Sequence, residues 1–375
     1  MADLASVLAT LEPIVEGIVA PNASRVDHDG AFPEEAVAAI AASGLFGLTI
    51  PVADGGLGLG LDAAAAVVER LARACGSTAM VICMHYCGSA VIAAHGDAST
   101  RRAVAAGKHL STLAFSEAGS RSHFWAPGST ATVDGDTVVL DASKSWITSA
   151  AKATAYVWSS KPVSAEGAST LWLVPNPTAG LVTTAAYDGL GLRGNDSAPV
   201  RASGARIPAT NRLGEDGKGF DLMMGVVLPT FNVLNAACSI GLCDASVAAT
   251  AAHAGAIRHA DAGVSLADLP TIRAYIARMK IKTDLAHALM ADTLAALGSG
   301  RADAMLRVLQ IKAAGAETAL EVTATAMRVC GGAAYRKEVG VERFFRDAQA
   351  ASSMGPTTDV LYDFIGKAVC GLPLF

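Results

Sequence analysis

Apolar residues recur at intervals of three and four from Leu4 to about Gly107, in runs such as LASVLATLEPIVEGIV and DAAAAVVERLARAC, which is the period of helices with one buried face. Turn clusters at Asp27 to Gly30 and Asp54 to Gly60 punctuate this block. From about Leu110 to Asn211 the texture changes to short β-prone runs (STATV, TVVLDA, AYVWSS, STLWLVP, GLVTTAAY), divided by turns such as Asp134-Gly135-Asp136 and Pro175-Asn176-Pro177. After Gly214-Glu215-Asp216-Gly217 the helical period returns and runs nearly to Phe375 in long Ala-rich stretches, a pattern that suits a bundle. The expected architecture is an α+β multi-domain chain: an N-terminal all-α domain over 1–110, a middle β domain over 111–212 and a C-terminal four-helix bundle over 213–375.

Composition narrows the function classes. The 375 residues are 52% hydrophobic and 17% charged, too apolar for disorder and long enough for several packed domains. A formal net charge of -5 supplies no positive field for a polyanion, so no nucleic-acid partner is expected. The seven Cys lack the paired spacing of a zinc site or a disulfide scaffold, which points to reduced thiols, a cytoplasmic protein and no metal. A mean hydropathy of +0.39 raises the membrane question. The uncharged stretch Ala36 to Ala53 is nearly long enough to span, but Gly44, Gly47 and Pro51 interrupt it, and a buried helix followed by a turn is expected instead. The acidic N-terminus has no basic n-region of a secretory signal.

Several segments then stand out for chemistry. Phe115 to His123 (FSEAGSRSH) joins small turn residues to hydroxyls, a loop that can lay N–H groups against an anionic or carbonyl-rich ligand or serve as an ordinary turn. Trp146 and Thr148 stand two apart on a predicted strand, where alternation sends both to one face; a Trp there serves a core equally well.

In order along the chain, GLFGLTIPVADGGLGLG (44–60), FSEAGSRSH (115–123), KSWITS (144–149), GLRGNDSA (191–198) and RVCGGAAYRKEVGVERFFRD (328–347) resemble the conserved segments of the acyl-CoA dehydrogenase superfamily. The resemblance implies a flavoprotein with FAD, a CoA-thioester substrate and a homo-oligomeric assembly, tetramer or dimer. By it, Phe115 and Ser116 would bond the flavin pyrimidine edge, Trp146 would pack against the isoalloxazine and Thr148 would bond near its N5. Ser122 would serve pyrophosphate or substrate, with His123, Arg193 and Phe231 on the substrate side. Arg328, Gly331 and Gly332 would face the adenine-side phosphates, Arg258 (in IRHADAG, beside His259) would reach FAD from a neighbouring subunit, and Thr357 and Asp359 would follow in the cofactor site.

One position departs sharply from that pattern. The Glu with which family dehydrogenases take the α-proton falls on Gly355 (SSMGPTTDVL), and the alternative helix position, about Thr230 or Phe231 in VVLPTFNVLN, has no carboxylate either. A positioned base contributes about 10²–10⁴-fold, so plain dehydrogenation is not expected by that mechanism. The Gly355 N–H remains able to polarise a thioester carbonyl. His85, in CMHYCGS, is the imidazole expected nearest the flavin, with a helix-packing role as the alternative.

The leading expectation is an FAD-dependent oxidoreductase on an acyl-CoA or related thioester, of the flavin-dependent oxygenase type used in natural-product or aromatic-degradation pathways. Dioxygen and an electron-transfer partner or flavin reductase would then take part, and no membrane. The alternatives are α,β-dehydrogenation with a substitute base such as His85 or Asp359, and a non-catalytic flavoprotein or partner-binding pseudoenzyme.

Overall fold

The chain is described by a computed structural model, which covers residues 3–119, 123–258 and 263–374. Asp3 caps the first helix, α1 (Leu4–Ile14), in a capping box with Ser6. A π-helical turn leads into α2 (Ala20–Asp29), which stops at Gly30 in the left-handed region, φ 62°. Then come α3 (Glu34–Ala42), α4 (Leu61–Ala72), α5 (Gly76–His95) and α6 (Ala98–Ala105). The uncharged stretch 36–53 ends its helix at Ala42 and continues as short turns, as its glycines and proline dictate. α5 is buried on nearly every side, so it reads as apolar without a polar face.

Two sheets form the middle layer pair. β1 (Ser111–Ala114), β4 (Ala155–Ser160), β5 (Thr170–Pro175) and β8 (Arg212–Leu213) make one, in the order β1-β4-β5-β8 with β1 parallel to β4. β2 (Thr130–Asp134), β3 (Thr137–Ile147), β6 (Leu181–Thr183) and β7 (Ala198–Pro208) make the other, in the order β2-β3-β7-β6, all antiparallel. Their inner faces share a core of Trp158, Trp172, Tyr156, Leu140 and Ile207, all essentially inaccessible. The β3–β7 pairing slips between Lys144 and Ile147, and this irregularity matters for the site.

The C-terminal part comprises α7 (Gly219–Leu222), a π-helical segment, α8 (Leu228–Ala256), α9 (Pro270–Ser299), α10 (Ala304–Cys330), α11 (Val341–Ser353) and α12 (Thr358–Val369). α8 is the common spine: it packs on α10, on α9 and, across the domain boundary, on α4 and α5. The apolar core is therefore continuous from the N-terminal helices into the bundle. Three helical runs, Leu4–Asp29, Gly76–His95 and Gly219–Ala256, are long and apolar enough to cross a bilayer by length and composition alone; the last two spend most of that surface inside the fold.

Candidate active site

A cavity of about 720 Å³ opens where the three parts meet, within the size range of small-molecule sites. Its helical wall is apolar and belongs to the main core: Met80 and Met84 of α5, Leu113, Phe124, and Val227, Leu228 and Phe231 at the start of α8. Its strand wall is polar, formed by Ser116, Glu117, Ser145, Thr148, Asn195 and Ser197. Gln349, Met354 and Gly355 from the end of α11 and the following turn close the third side.

The strand wall is strained where the slip in β3 occurs. Trp146 has φ 58° and is 62% exposed, whereas Thr148 is buried. The expected strict alternation is thus broken, yet both residues line the cavity, because a bulge re-aims side chains at a strand end. Ser149, Leu192 and Asp196 share the positive φ, and among the described residues these four are the only non-glycine ones to do so. They lie in two segments that brace each other: the Ser149 N–H donates to the Asn195 carbonyl (2.9 Å) and the Ala150 N–H to the Asp196 carbonyl (3.0 Å). The Tyr187 ring lies 4.1 Å from the Trp146 ring, and its hydroxyl is 3.1 Å from Ser145 Oγ. Strained backbone concentrated at a cavity is the mark of a site rather than of packing.

The loop after β1 is fixed by a buried ion pair. Lys144 Nζ lies 2.7 Å from Glu117 Oε1 and also donates to the Ser159 carbonyl (2.8 Å) and to both Ser129 and Ser159 hydroxyls. Burial pushes the Lys144 amine down to about 8 against the pull of Glu117. Burial also pushes Glu117 up, but the ammonium and the donors from Ser129 and Gly128 outweigh it and hold the carboxyl below its usual range. Phe115 stacks on Phe124 at 6.3 Å, and the Ser116 carbonyl accepts the Ser145 N–H.

The loop that carries Arg193 is clamped from behind. The Asp347 carboxylate accepts the Leu192 N–H at 2.6 Å in full burial, which raises it to about 6. Gly191 lies so close to Arg346 that an added Cβ would meet its carbonyl oxygen at 2.3 Å, so only glycine fits there. Arg193 lines the cavity but spends its guanidinium on Asp188 and on the carbonyls of Asp27 (2.8 Å) and Gly189. Its part is to shape this edge of the cavity.

The residues expected at the site divide accordingly. Phe115, Ser116, Trp146, Thr148, Arg193, Phe231 and Gly355 are gathered around the one cavity. Ser122 and His259 lie outside the described residues. His85 is a correction: it does not line the cavity, and it is completely buried with Nδ1 accepting the Ser111 N–H (3.1 Å) and Nε2 3.1 Å from the Phe46 carbonyl. Burial lowers it to about 3, so it is a neutral packing group that ties α5 to β1. His123 is exposed, edge-on to Trp125 at 5.1 Å, away from the cavity lining. Thr357 caps α12 and Asp359 faces solvent on its first turn, so Asp359 is no substitute base.

Arg258, Arg328, Gly331 and Gly332 are all exposed and are not among the residues that line the cavity of their own chain. Arg258 donates to the Gly263 carbonyl (3.2 Å), and Arg328 lies 4.8 Å over the Tyr275 ring. Tyr187 and Gln349 line the cavity without a sequence motif to announce them, and Asn195 does so from within the 191–198 motif without having been singled out. Met80 and Met84 carry a signal, since i, i+4 spacing places both on one face of α5.

The strand wall fits a planar aromatic cofactor of the flavin kind. An indole held exposed in a strained backbone, with the Tyr187 ring against it and hydroxyls and backbone groups beside it, leaves much of its surface open to a ligand. Among the described lining residues the only carboxylate is Glu117, and it is bound to Lys144.

Comparison with known proteins agrees with this geometry. The acyl-CoA dehydrogenase N-terminal, middle and C-terminal domain models match residues 2–107, 112–204 and 217–370. The mitochondrial short-chain specific acyl-CoA dehydrogenase of Bos taurus is 29% identical over 361 residues, covering 94% of this chain and 86% of its own. The cyclohex-1-ene-1-carbonyl-CoA dehydrogenase of Geobacter metallireducens is 28% identical over 363 residues, covering 94% and 93%. The structure of glutaryl-coenzyme A dehydrogenase in complex with glutaryl-CoA superposes with a TM-score of 0.93 at 25% identity, covering 100% of this chain and 97% of that one.

Proposed function

The chain belongs to the acyl-CoA dehydrogenase family of flavin-dependent oxidoreductases, and we propose that it is an FAD-dependent oxygenase that inserts one atom of dioxygen into a thioester of an apolar acyl group without a carboxylate base, the other atom leaving as water with two electrons that a flavin reductase or electron-transfer partner supplies to the flavin. The observation that carries this reading is Gly355. It lines the cavity at the position that the motif resemblance gives to the family base, and no free carboxylate among the described lining residues replaces it.

Each wall then has a task. The strand wall, with Trp146 against one ring face and Ser116 and Thr148 at the polar edge, holds the flavin, which supplies the two-electron redox chemistry when bound. The helical wall of Met80, Met84, Leu228 and Phe231 holds the acyl group, and unbranched methionines adapt to its shape. The Gly355 N–H takes the thioester carbonyl, and the space left by the missing Glu side chain admits a bulkier acyl group or dioxygen beside an apolar surface. In a homo-oligomer of the family kind, Arg258, Arg328, Gly331 and Gly332 serve the cofactor of a neighbouring copy, which accounts for their absence from the lining of their own cavity.

A second reading rests on the same N–H. A substrate whose α-proton is already acidic, such as a ring-bearing or β,γ-unsaturated thioester, needs carbonyl polarisation more than a base, and the site would desaturate it.

The test is to reduce the flavoprotein chemically without oxygen, load it with aromatic and alicyclic acyl-CoAs, and mix it with oxygen. A thioester product heavier by oxygen supports the leading reading. Peroxide release with every thioester unchanged overturns it.

A further inference from the structure

Behind the cavity wall, α10 carries a lysine with no counter-charge. Lys312 is fully buried, and its Nζ donates to three carbonyls: Ala351 (3.1 Å), Met354 (3.1 Å) and Pro356 (2.8 Å). Among the described residues no carboxylate pairs with it, and burial pushes its amine down to about 7. The three carbonyls mark the end of α11 and the turn after it, where a helix leaves C=O groups without partners and favours a cation. The Asn235 side chain holds the same turn from α8, its Nδ2 lying 3.3 Å from Met354 Sδ.

The Met354 carbonyl and the Gly355 N–H belong to one peptide unit. That unit is trans, so its planarity sends the N–H opposite to the C=O. The carbonyl points at Lys312 inside the bundle, the N–H points away from it, and Gly355 lines the cavity. No backbone acceptor among the described residues takes that N–H. A donor on an amide carbonyl draws electron density from the nitrogen and strengthens the N–H as a donor in turn.

We propose that Lys312 is a positioning residue that aims the Gly355 N–H into the cavity and, through the shared peptide, strengthens its hydrogen bond to the substrate carbonyl. The proposal rests on the thioester reading above. In a relative with a carboxylate base this polarisation is one of two aids; here it is the aid that remains, and it acts on the carbonyl whichever oxidation follows.

The experiment uses the flavin-loaded protein and p-dimethylaminocinnamoyl-CoA, a push–pull thioester whose absorption moves to the red as its carbonyl accepts a stronger hydrogen bond. Wild type should bind it with a red shift. Lys312→Met should bind it with at least half of that shift lost, and turnover of any accepted substrate should show kcat lower by about tenfold or more with KM within about threefold. Lys312→Arg, which keeps charge and donors, should recover part of the shift. Lys312→Leu, which also lacks a donor, replaces the Met variant if that one does not fold. A folded, flavin-loaded Met or Leu variant with the full wild-type shift overturns the role of Lys312. Wild type that binds the probe without any shift overturns carbonyl polarisation, and wild type that binds no thioester overturns the reading beneath the proposal and the proposal with it.

Discussion

Glu117 Oε1 and Lys144 Nζ lie 2.7 Å apart behind the strand wall, and that contact occupies the one carboxylate among the described residues of the cavity. Lys144 is inaccessible to solvent, so its charge depends on this partner and on the Ser129 and Ser159 oxygens. Replacing one member of a buried pair leaves the other uncompensated and typically costs about 3–5 kcal/mol. Glu117→Gln should therefore lower the urea midpoint strongly. Unchanged stability would mean that Glu117 is not committed to Lys144 and is free to act as a base.

His85 makes a prediction about pH. Burial lowers its native pKa to about 3, below the ordinary 6.5 of an imidazole, so unfolding takes up a proton between those limits. The stability it confers is complete above about pH 6.5 and is lost as pH falls toward about 3. His109, lowered by burial to about 4, acts in the same direction. His85→Gln should flatten the acid side of the stability profile, seen as a smaller difference between urea midpoints at about pH 5 and about pH 7 than wild type shows. An equal difference would place the acid sensitivity elsewhere.

Trp146 should be worth most to the cofactor. As a residue 62% exposed, with its ring tilted against Tyr187, it contributes little to packing and much to a planar ligand. Trp146→Ala should weaken flavin retention about tenfold or more, while Trp146→Phe, which keeps a ring, should fall between. Flavin content on purification, measured against protein, checks this; full occupancy in the Ala variant would contradict it.

The order of helices, strands and helices was legible because each block keeps its own hydrophobic period over many residues, whereas the segment around Trp146 and Thr148 stood out only by its resemblance to a family motif. What was not legible depends on contacts distant in sequence. His85 looked chemical because an imidazole in a CMHYCGS helix carries no mark of being buried; only the neighbouring Phe46 carbonyl and Ser111 N–H decide it. The bulge that breaks the alternation between Trp146 and Thr148 is a property of the β3–β7 pairing and not of β3 alone. Arg258 and Arg328 were singled out by partial motif matches alone, and neither lines the cavity of its own chain. Lys312 did carry a signal: it falls in register with the buried Val308 and Ala316 on the inner stripe of α10.

Gly355 offers the converse test by gain of function. Gly355→Glu places a carboxylate on the cavity wall at the position that the motif resemblance gives to the family base, and a positioned base contributes about 10²–10⁴-fold. The variant should reduce its flavin with saturated acyl-CoAs at least about a hundredfold faster than wild type. No gain with any chain length would mean that the wall at residue 355 does not face the α-carbon.

Anaerobic mixing of the wild-type flavoprotein with saturated straight-chain acyl-CoAs decides whether this site binds thioesters without a side-chain base. A perturbed oxidised-flavin spectrum, reporting binding, is expected, with no bleaching over many minutes. Bleaching at the rates of ordinary turnover, about 1 s⁻¹ or faster, would contradict this and show that a base is present.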